Sequence, residues 1–354
     1  MLHTVCLKHQ LNAYLCAAYI NTQQPGAIFI RPKNTYIMTI RCLFSFSLLL
    51  YICLSGLNLY AQQDAQYTQY MFNGLVINPA YAGTRDAVSL TAIYRHQWAG
   101  FAGAPRSVSA SIHSPVGNKM GLGFFLENDK IGVHNRLSAY GSYAYRIPIN
   151  DATQLSLGLD AGLLYYTSDW TQAPNPVNPD DPQFANNVSR VLPNFGLGAY
   201  WYSDRYYVGL SVPHLLSSRL DDPDALNYVS KYDMHLFLTG GVVFDLSESV
   251  KLKPTILLKS IPAKAPIEFD ANINFLFNDA FWASVGYHSG TGIAAILQYQ
   301  FANNLRIGYA YDFNLNNLAP TNSGSHEIML GWDFARNSPK APKDKGKVLS
   351  PRYF

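Results

Sequence analysis

Between Ile267 and Phe277 every odd position is apolar (Ile267, Phe269, Ala271, Ile273, Phe275, Phe277). Four of the five even positions are polar (Glu268, Asp270, Asn272, Asn274). A strand sends successive side chains to opposite faces, so this stretch has one greasy face and one wet face. Asn278-Asp279-Ala280 turns the chain, and Phe281, Ala283, Val285 and Tyr287 restart the apolar face on the way back. Each strand runs to about ten residues, the length that crosses a bilayer at a tilt. A two-stranded hairpin leaves both edges unpaired, which lipid does not tolerate. The rest of the chain must therefore repeat the unit and close it into a cylinder.

It does repeat. From Ala87 the alternation runs through Val88–Tyr94, Val108–Ile112, Met120–Leu126, Leu137–Ile147, Leu155–Tyr165, Phe195–Trp201, Tyr206–Val212, Met234–Leu246 and Leu252–Leu258. After the opening hairpin it resumes in Ile293–Phe301, Leu305–Phe313 and Ile328–Phe334. That makes about fourteen strands, an even number as in bacterial single-chain barrels. The connections alternate in length. Ser114–Lys119, Pro148–Ala152, Ser203–Arg205, Ser247–Ser249, Asn278–Ala280 and Ala302–Asn304 are short. The others include His96–Arg106, Ser168–Leu192, Pro213–Asp233 and Asn314–Gly324, which are long and rich in Pro, Asn and Asp. Short periplasmic turns alternating with longer extracellular loops mark an outer-membrane barrel; a soluble β-domain has no reason to sort its loops by parity. The expected fold is an all-β transmembrane antiparallel barrel over residues 87–334. Charged residues make up only 14% of the chain, against about 25% in soluble domains. No apolar run past the N-terminal region approaches the ~20 residues of a membrane helix.

The ends read differently. Met38-Thr39-Ile40-Arg41 is a short basic start, followed by an apolar core from Cys42 to Leu59 and then Tyr60-Ala61 before polar Gln62-Gln63-Asp64. This pattern predicts a signal peptide over 38–61, cleaved after Ala61, and makes residues 1–37 an upstream extension with Met38 as the expected start. All four cysteines (Cys6, Cys16, Cys42, Cys53) fall in the removed part, so the mature chain has no disulfide and no thiol chemistry. Residues 1–61 also hold four of the 26 basic residues and no acid, leaving 22 basic against 23 acidic. Such a balance gives no general attraction to nucleic acid. Residues 62–86 precede the first strand and are expected to fold against the periplasmic mouth or into the lumen. Residues 335–354 form a basic, Pro-containing tail with a flexible composition, expected in the periplasm with both termini.

No chemistry-bearing constellation emerges. Ser325-His326-Glu327 lie next to each other on a strand, where His326 cannot engage both flanking side chains, so no triad forms. The other mature histidines show no ligand spacing. Asp180-Asp181 and Asp221-Asp222 are read as solvated turn acids rather than a calcium site. Lys251, Lys253 and Lys259 give one strand a basic inner face, read as pairing with Glu268 and Asp270 on the next strand. Mid-strand glycines are read as relieving crowding and permitting curvature. The sequence predicts no enzyme, no cofactor and no metal.

The run Gln66-Tyr67-Thr68-Gln69-Tyr70-Met71-Phe72-Asn73-Gly74-Leu75-Val76-Ile77-Asn78-Pro79-Ala80-Tyr81-Ala82-Gly83 resembles the N-terminal hallmark of the PorP/SprF family of type IX secretion proteins from Bacteroidetes. Arg95-His96-Gln97-Trp98 with Gly103-Ala104-Pro105, the Asn128–Gly132 loop, Ser325–Leu330 and the terminal Ser350-Pro351-Arg352-Tyr353-Phe354 extend the resemblance along the mature chain. The resemblance implies an integral outer-membrane component of the type IX secretion and gliding apparatus. Its implied partners are outer-membrane lipid, periplasmic ring and motor components, and a large adhesin with a C-terminal sorting domain. On that likeness Asn78, Pro79, Tyr81 and Gly83 shape the pre-barrel segment, and Arg95, Gln97, Trp98 and Pro105 fix the first outer loop. Pro351, Arg352, Tyr353 and Phe354 then belong to a periplasmic contact. The alternative function is a passive or hydrophobic-solute channel.

Overall fold

The structure is a computed structural model, and it describes residues 65–85, 87–172, 187–220, 231–262 and 266–334. Strands β1 (Val88–His96), β2 (Arg106–Val116), β3 (Met120–Ile131), β4 (His134–Pro148), β5 (Thr153–Ser168), β6 (Val188–Ser203) and β7 (Tyr206–Val212) form one run of antiparallel neighbours. A two-residue ribbon, β8 (Ser218–Arg219) with β9 (Lys231–Tyr232), stands apart from it. The run continues through β10 (Leu236–Val242), β11 (Phe244–Asp245), β12 (Val250–Ser260), β13 (Glu268–Phe277), β14 (Phe281–His288), β15 (Gly292–Gln300), β16 (Leu305–Asn314) and β17 (Ser325–Phe334). β17 pairs back onto β1, with Val88 opposite Phe334 and His96 opposite His326, and the cylinder closes.

β10 and β11 are one strand with a local break. Gly241 faces Thr255 and Phe244 faces Leu252, so the register is the same on both sides of the gap. In that register Val242 meets Pro254, which has no N–H to give to the ladder. Counted as one, β10–β11 makes the barrel fourteen-stranded, and every segment of the expected alternation is a strand. Closure pairs every strand of the barrel with a neighbour on each side, as a lipid-immersed sheet requires; β6 runs on past β7 at its loop end, where residues 188–196 pair with β5 alone.

The two faces separate as the alternation demands. Outward positions are large and exposed: Leu122, Leu159, Leu163, Phe195, Ile273, Val285, Leu297 and Leu330. Aromatic residues gather toward the ends of the strands, as in the tilted pair Trp332–Phe334 and the edge-to-face pair Tyr311–Phe313 with ring centroids 4.4 and 4.5 Å apart. An apolar belt flanked by aromatic girdles is the outer surface of a membrane barrel. Inward positions are small or polar and buried, among them Ser109, Ser111, Asn274 and Gln298.

The loops sort as expected with two exceptions. On the side of the long loops, β3 passes to β4 through Gly132 and Val133 alone, and β14 passes to β15 through Ser289–Thr291. Asn128–Ile131, expected as a loop, completes β3 instead; Asp129 points inward and accepts from the Ser107 hydroxyl at 2.6 Å. The long-loop acids Asp180, Asp181, Asp221 and Asp222, the upstream extension, the signal peptide and the C-terminal tail lie outside the described residues.

Candidate functional site

A barrel of this size needs its interior filled or it leaks. Here residues 65–85 fill it. Three short 3-10 turns, Tyr70–Phe72, Gly74–Val76 and Pro79–Tyr81, run one after another inside the cylinder. Tyr70, Phe72, Leu75, Ala80, Ala82 and Arg85 are all buried. The sequence turns this way because Asn73, Gly74, Asn78 and Pro79 interrupt it every few residues. Asn78 caps the third turn by accepting from the Ala80 N–H at 2.9 Å, and Pro79 supplies a preset φ at its first position.

The plug is fastened most heavily at the loop end of the lumen. Arg95, near the end of β1, donates to Asp312 at 2.6 Å and to Glu327 at 3.1 Å. Glu327 accepts the backbone N–H of Thr68 at 2.8 Å and of Gln69 at 2.9 Å, one on each oxygen. The Thr68 hydroxyl donates to Asp312 at 2.8 Å and accepts from Arg95 at 2.6 Å. Tyr67 donates to Glu127 at 2.7 Å. Burial first, and then the Glu127 carboxylate, hold the Tyr67 phenol well above its ordinary pKa, so it remains a donor. Gln66 reaches Glu268 at 3.1 Å. Buried charges persist only when paired and hydrogen-bonded, and this cluster meets that condition by using the plug's own backbone.

The middle of the plug is held by shape. Phe72 packs edge-on to Trp282 with ring centroids 5.6 Å apart, inside an apolar cluster with Ile93, Leu257, Ile296 and Met329. Asn78 donates to the carbonyls of Ala199 at 3.0 Å and Leu210 at 3.4 Å, and Ser211 donates to the Ile77 carbonyl. Two inward glycines make room. A Cβ on Gly158 would sit 2.2 Å from the Ala80 nitrogen, and one on Gly198 would sit 2.1 Å from Asn78 Oδ1. These glycines serve the approach of the plug rather than curvature alone.

At the turn end, Tyr81 stacks edge-on against Tyr200 and His113, the Gly83 N–H donates to His113 Nδ1 at 3.1 Å, and Arg146 donates to the Gly83 carbonyl at 2.9 Å. Arg85 faces Asp333 at 3.7 Å. The plug thus crosses the lumen once, from Glu268 and Glu327 at the loop end to Asp333 at the turn end. With fourteen strands after it, Ala65 and Phe334 open at opposite mouths. The expectation of both termini on one side is not carried by the described residues; the terminal residues themselves lie outside them. Beside Ala65 a cavity of about 40 Å³, lined by Tyr70, Ile77, Phe237, Leu257 and Lys259, is room for a few waters and no more.

Of the residues expected to matter, Asn78, Pro79, Tyr81 and Gly83 lie together in the plug. Gln97, Trp98 and Pro105 lie in the loop between β1 and β2. The Gln97 N–H donates to the Pro105 carbonyl at 3.0 Å, and Trp98 and Ala99 donate to Ser325 Oγ and the Gly324 carbonyl at 3.2 and 2.8 Å. Arg95 does something else, because its parity on β1 points it into the lumen. Pro351, Arg352, Tyr353 and Phe354 lie outside the described residues. Sequence reasoning missed Glu327, Asp312 and Glu127; the available signal was a charge at an inward position near a strand's loop end. The basic inner face resolves unevenly: Lys259 pairs with Asp270 at 3.1 Å and Glu268 at 3.7 Å, Lys251 with Asp279 at 2.5 Å, and Lys253 lies over the Tyr207 ring. Among the described residues no group of three or more His, Cys, Asp or Glu is placed to hold a metal.

The profile of the type IX secretion system membrane protein PorP/SprF family matches residues 59–332. No curated protein matches the chain. Solved structures similar to it include the CymD monoaromatic hydrocarbon channel (11% identity, 75% of this chain and 94% of that one, TM-score 0.47). The Ralstonia pickettii toluene transporter TbuX (12%, 75% and 93%, 0.45) and a Pseudomonas aeruginosa FadL homologue (13%, 75% and 94%, 0.43) are others. At these scores the likeness carries no argument about function.

Proposed function

The chain belongs to the PorP/SprF family of type IX secretion system membrane proteins, and from that premise we propose that it is an accessory barrel for export or surface attachment of a large adhesin-like cargo, not the conduit. It is an outer-membrane β-barrel of the type IX apparatus. The observation that supports the accessory reading is the filled lumen. Residues 65–85 occupy the interior from mouth to mouth; their backbone is tied to Glu327 and Arg146, and the Asn78 side chain to the carbonyls of Ala199 and Leu210. A cargo chain has no path through such a barrel, so contact must be made on its rims. On this reading the short turns face the periplasm, where ring and motor components dock. Phe334 lies on that side, and Pro351, Arg352, Tyr353 and Phe354 are the contact on this reading, while Ala65 faces outward. A cargo with a C-terminal sorting domain is the substrate class. The same filled lumen weighs against the passive or hydrophobic-solute channel.

The test is deletion of residues 335–354 in the native host. Folded barrel should reach the outer membrane in normal amount, while the cargo adhesin fails to appear on the surface. Unchanged display of the adhesin would reject the docking tail, and unchanged display on removing the whole gene would reject the accessory role.

A further inference from the structure

We propose that the turn half of the lumen holds a buried monovalent anion of chloride size, coordinated by Arg306 and Gln298. Arg306, the second residue of β16, is 0% exposed. A guanidinium carries five N–H donors and no acceptor. One nitrogen, Nη2, donates to Asp333 at 3.3 Å, while Nε and Nη1 have no hydrogen-bond partner. The group has little freedom to seek one. It lies flat on Gly331, its directly opposite residue on β17, where a Cβ would come within 2.9–3.1 Å of Nη2, Cζ and Nε. Asp333 in turn faces Arg85 at 3.7 Å, so one carboxylate serves two guanidinium groups.

Gln298 supplies the second, independent observation. It is 1% exposed, and neither its Nε2 nor its Oε1 has a hydrogen-bond partner. On the β15–β16 ladder Gln300 lies opposite Arg306 and Gln298 opposite Gly308. Gln298 and Arg306 are therefore diagonal neighbours on the inner face, within reach for long side chains. The row of unpartnered atoms continues around the wall. Asn274 Oδ1 on β13 and Ser284 Oγ on β14, opposite one another, are also without partners. A buried polar group left unpaired costs about 1–3 kcal/mol, and more when charged, so four such residues on four adjacent strands call for a partner beyond the protein's own atoms. Water alone satisfies the amides and the hydroxyl. Arg306 adds positive charge, shared with only one carboxylate, and open N–H donors at Nε and Nη1, and a charge with open donors selects an anion. The cargo role does not enter this inference.

The test uses the full chain folded in detergent. Barrel melting, followed by the heat-sensitive gel shift of the folded form, is compared in chloride, bromide and gluconate at equal ionic strength. Chloride and bromide should raise the melting point saturably over gluconate; at about 100 times Kd the folding constant rises about 100-fold. Arg306→Met and Gln298→Leu should each remove the difference, and Gln298→Leu carries the test if Arg306→Met does not assemble. Crystals grown in bromide should show an anomalous peak at Arg306 and Gln298. Identical melting in the three salts overturns the proposal in favour of water. An anion effect that survives both substitutions, or a bromide peak elsewhere, overturns it as well.

Discussion

Replacing Glu327 by Gln isolates the latch that fastens the plug, because it changes charge without changing volume. One carboxylate oxygen takes the Gln69 N–H at 2.9 Å and Gln69 Nε2 at 3.2 Å; the other takes the Thr68 N–H at 2.8 Å and Arg95 at 3.1 Å. An amide can keep only one of these sites as an acceptor. Its NH2 then meets donors at the other, and the Thr68 N–H loses its partner. Hydrogen bonds to a charged group contribute about 1.5–3 kcal/mol each. Breaking a buried ion pair by removing one partner costs about 3–5 kcal/mol. Arg95 keeps Asp312 at 2.6 Å, so the total belongs near that range and not above it. At about 1.4 kcal/mol per tenfold, the undocked population rises by roughly two to three and a half orders of magnitude. Chymotrypsin reads this directly, since Tyr67, Tyr70 and Phe72 are buried until the plug leaves. When reclosing outpaces cleavage, the cutting rate follows the open population. The barrel itself should keep its gel shift. Cleavage within about threefold of the unsubstituted protein, with the barrel folded, would refute the latch.

Other outcomes follow from the same geometry. Gly158→Val and Gly198→Val put a Cβ 2.2 and 2.1 Å from plug atoms; the strands should still close, the plug should be displaced, and chymotrypsin should cut it while the barrel stays folded. Tyr67 has a folded pKa raised above its unfolded value by burial and Glu127, so its contribution to docking is fully present below the unfolded value. That contribution falls away as pH rises past it. Tyrosinate absorbance against pH, compared with Tyr67→Phe, should show that Tyr67 ionises above the ordinary tyrosine range; ionisation within that range would contradict the buried donor.

The strands were legible in the sequence and the plug's role was not, for a physical reason. Lipid on one side and a wet lumen on the other impose a period of two on every strand, so Ile267–Phe277 or Leu155–Tyr165 declares itself within ten residues. The plug obeys no period. Its residues are set by contacts with strands far along the chain: Thr68 binds Glu327, 259 residues away. On the family likeness alone Arg95 is expected in the first outer loop; its odd position on β1, opposite in parity to Leu90 and Tyr94, is what turns it into the lumen. Gly158 and Gly198 are mid-strand glycines like several others in the sequence, and only the approach of Asn78 and Ala80 shows what they make room for. The break at Val243 was likewise written in Pro254, visible once the register is known.

Solute flux through the purified barrel in liposomes tests the central claim most directly. With residues 65–85 seated, small sugars should enter no faster than into empty vesicles. Deleting residues 65–83, with the barrel still folded by gel shift, should open rapid swelling. Robust flux through the intact protein would contradict the account and return the channel reading to first place.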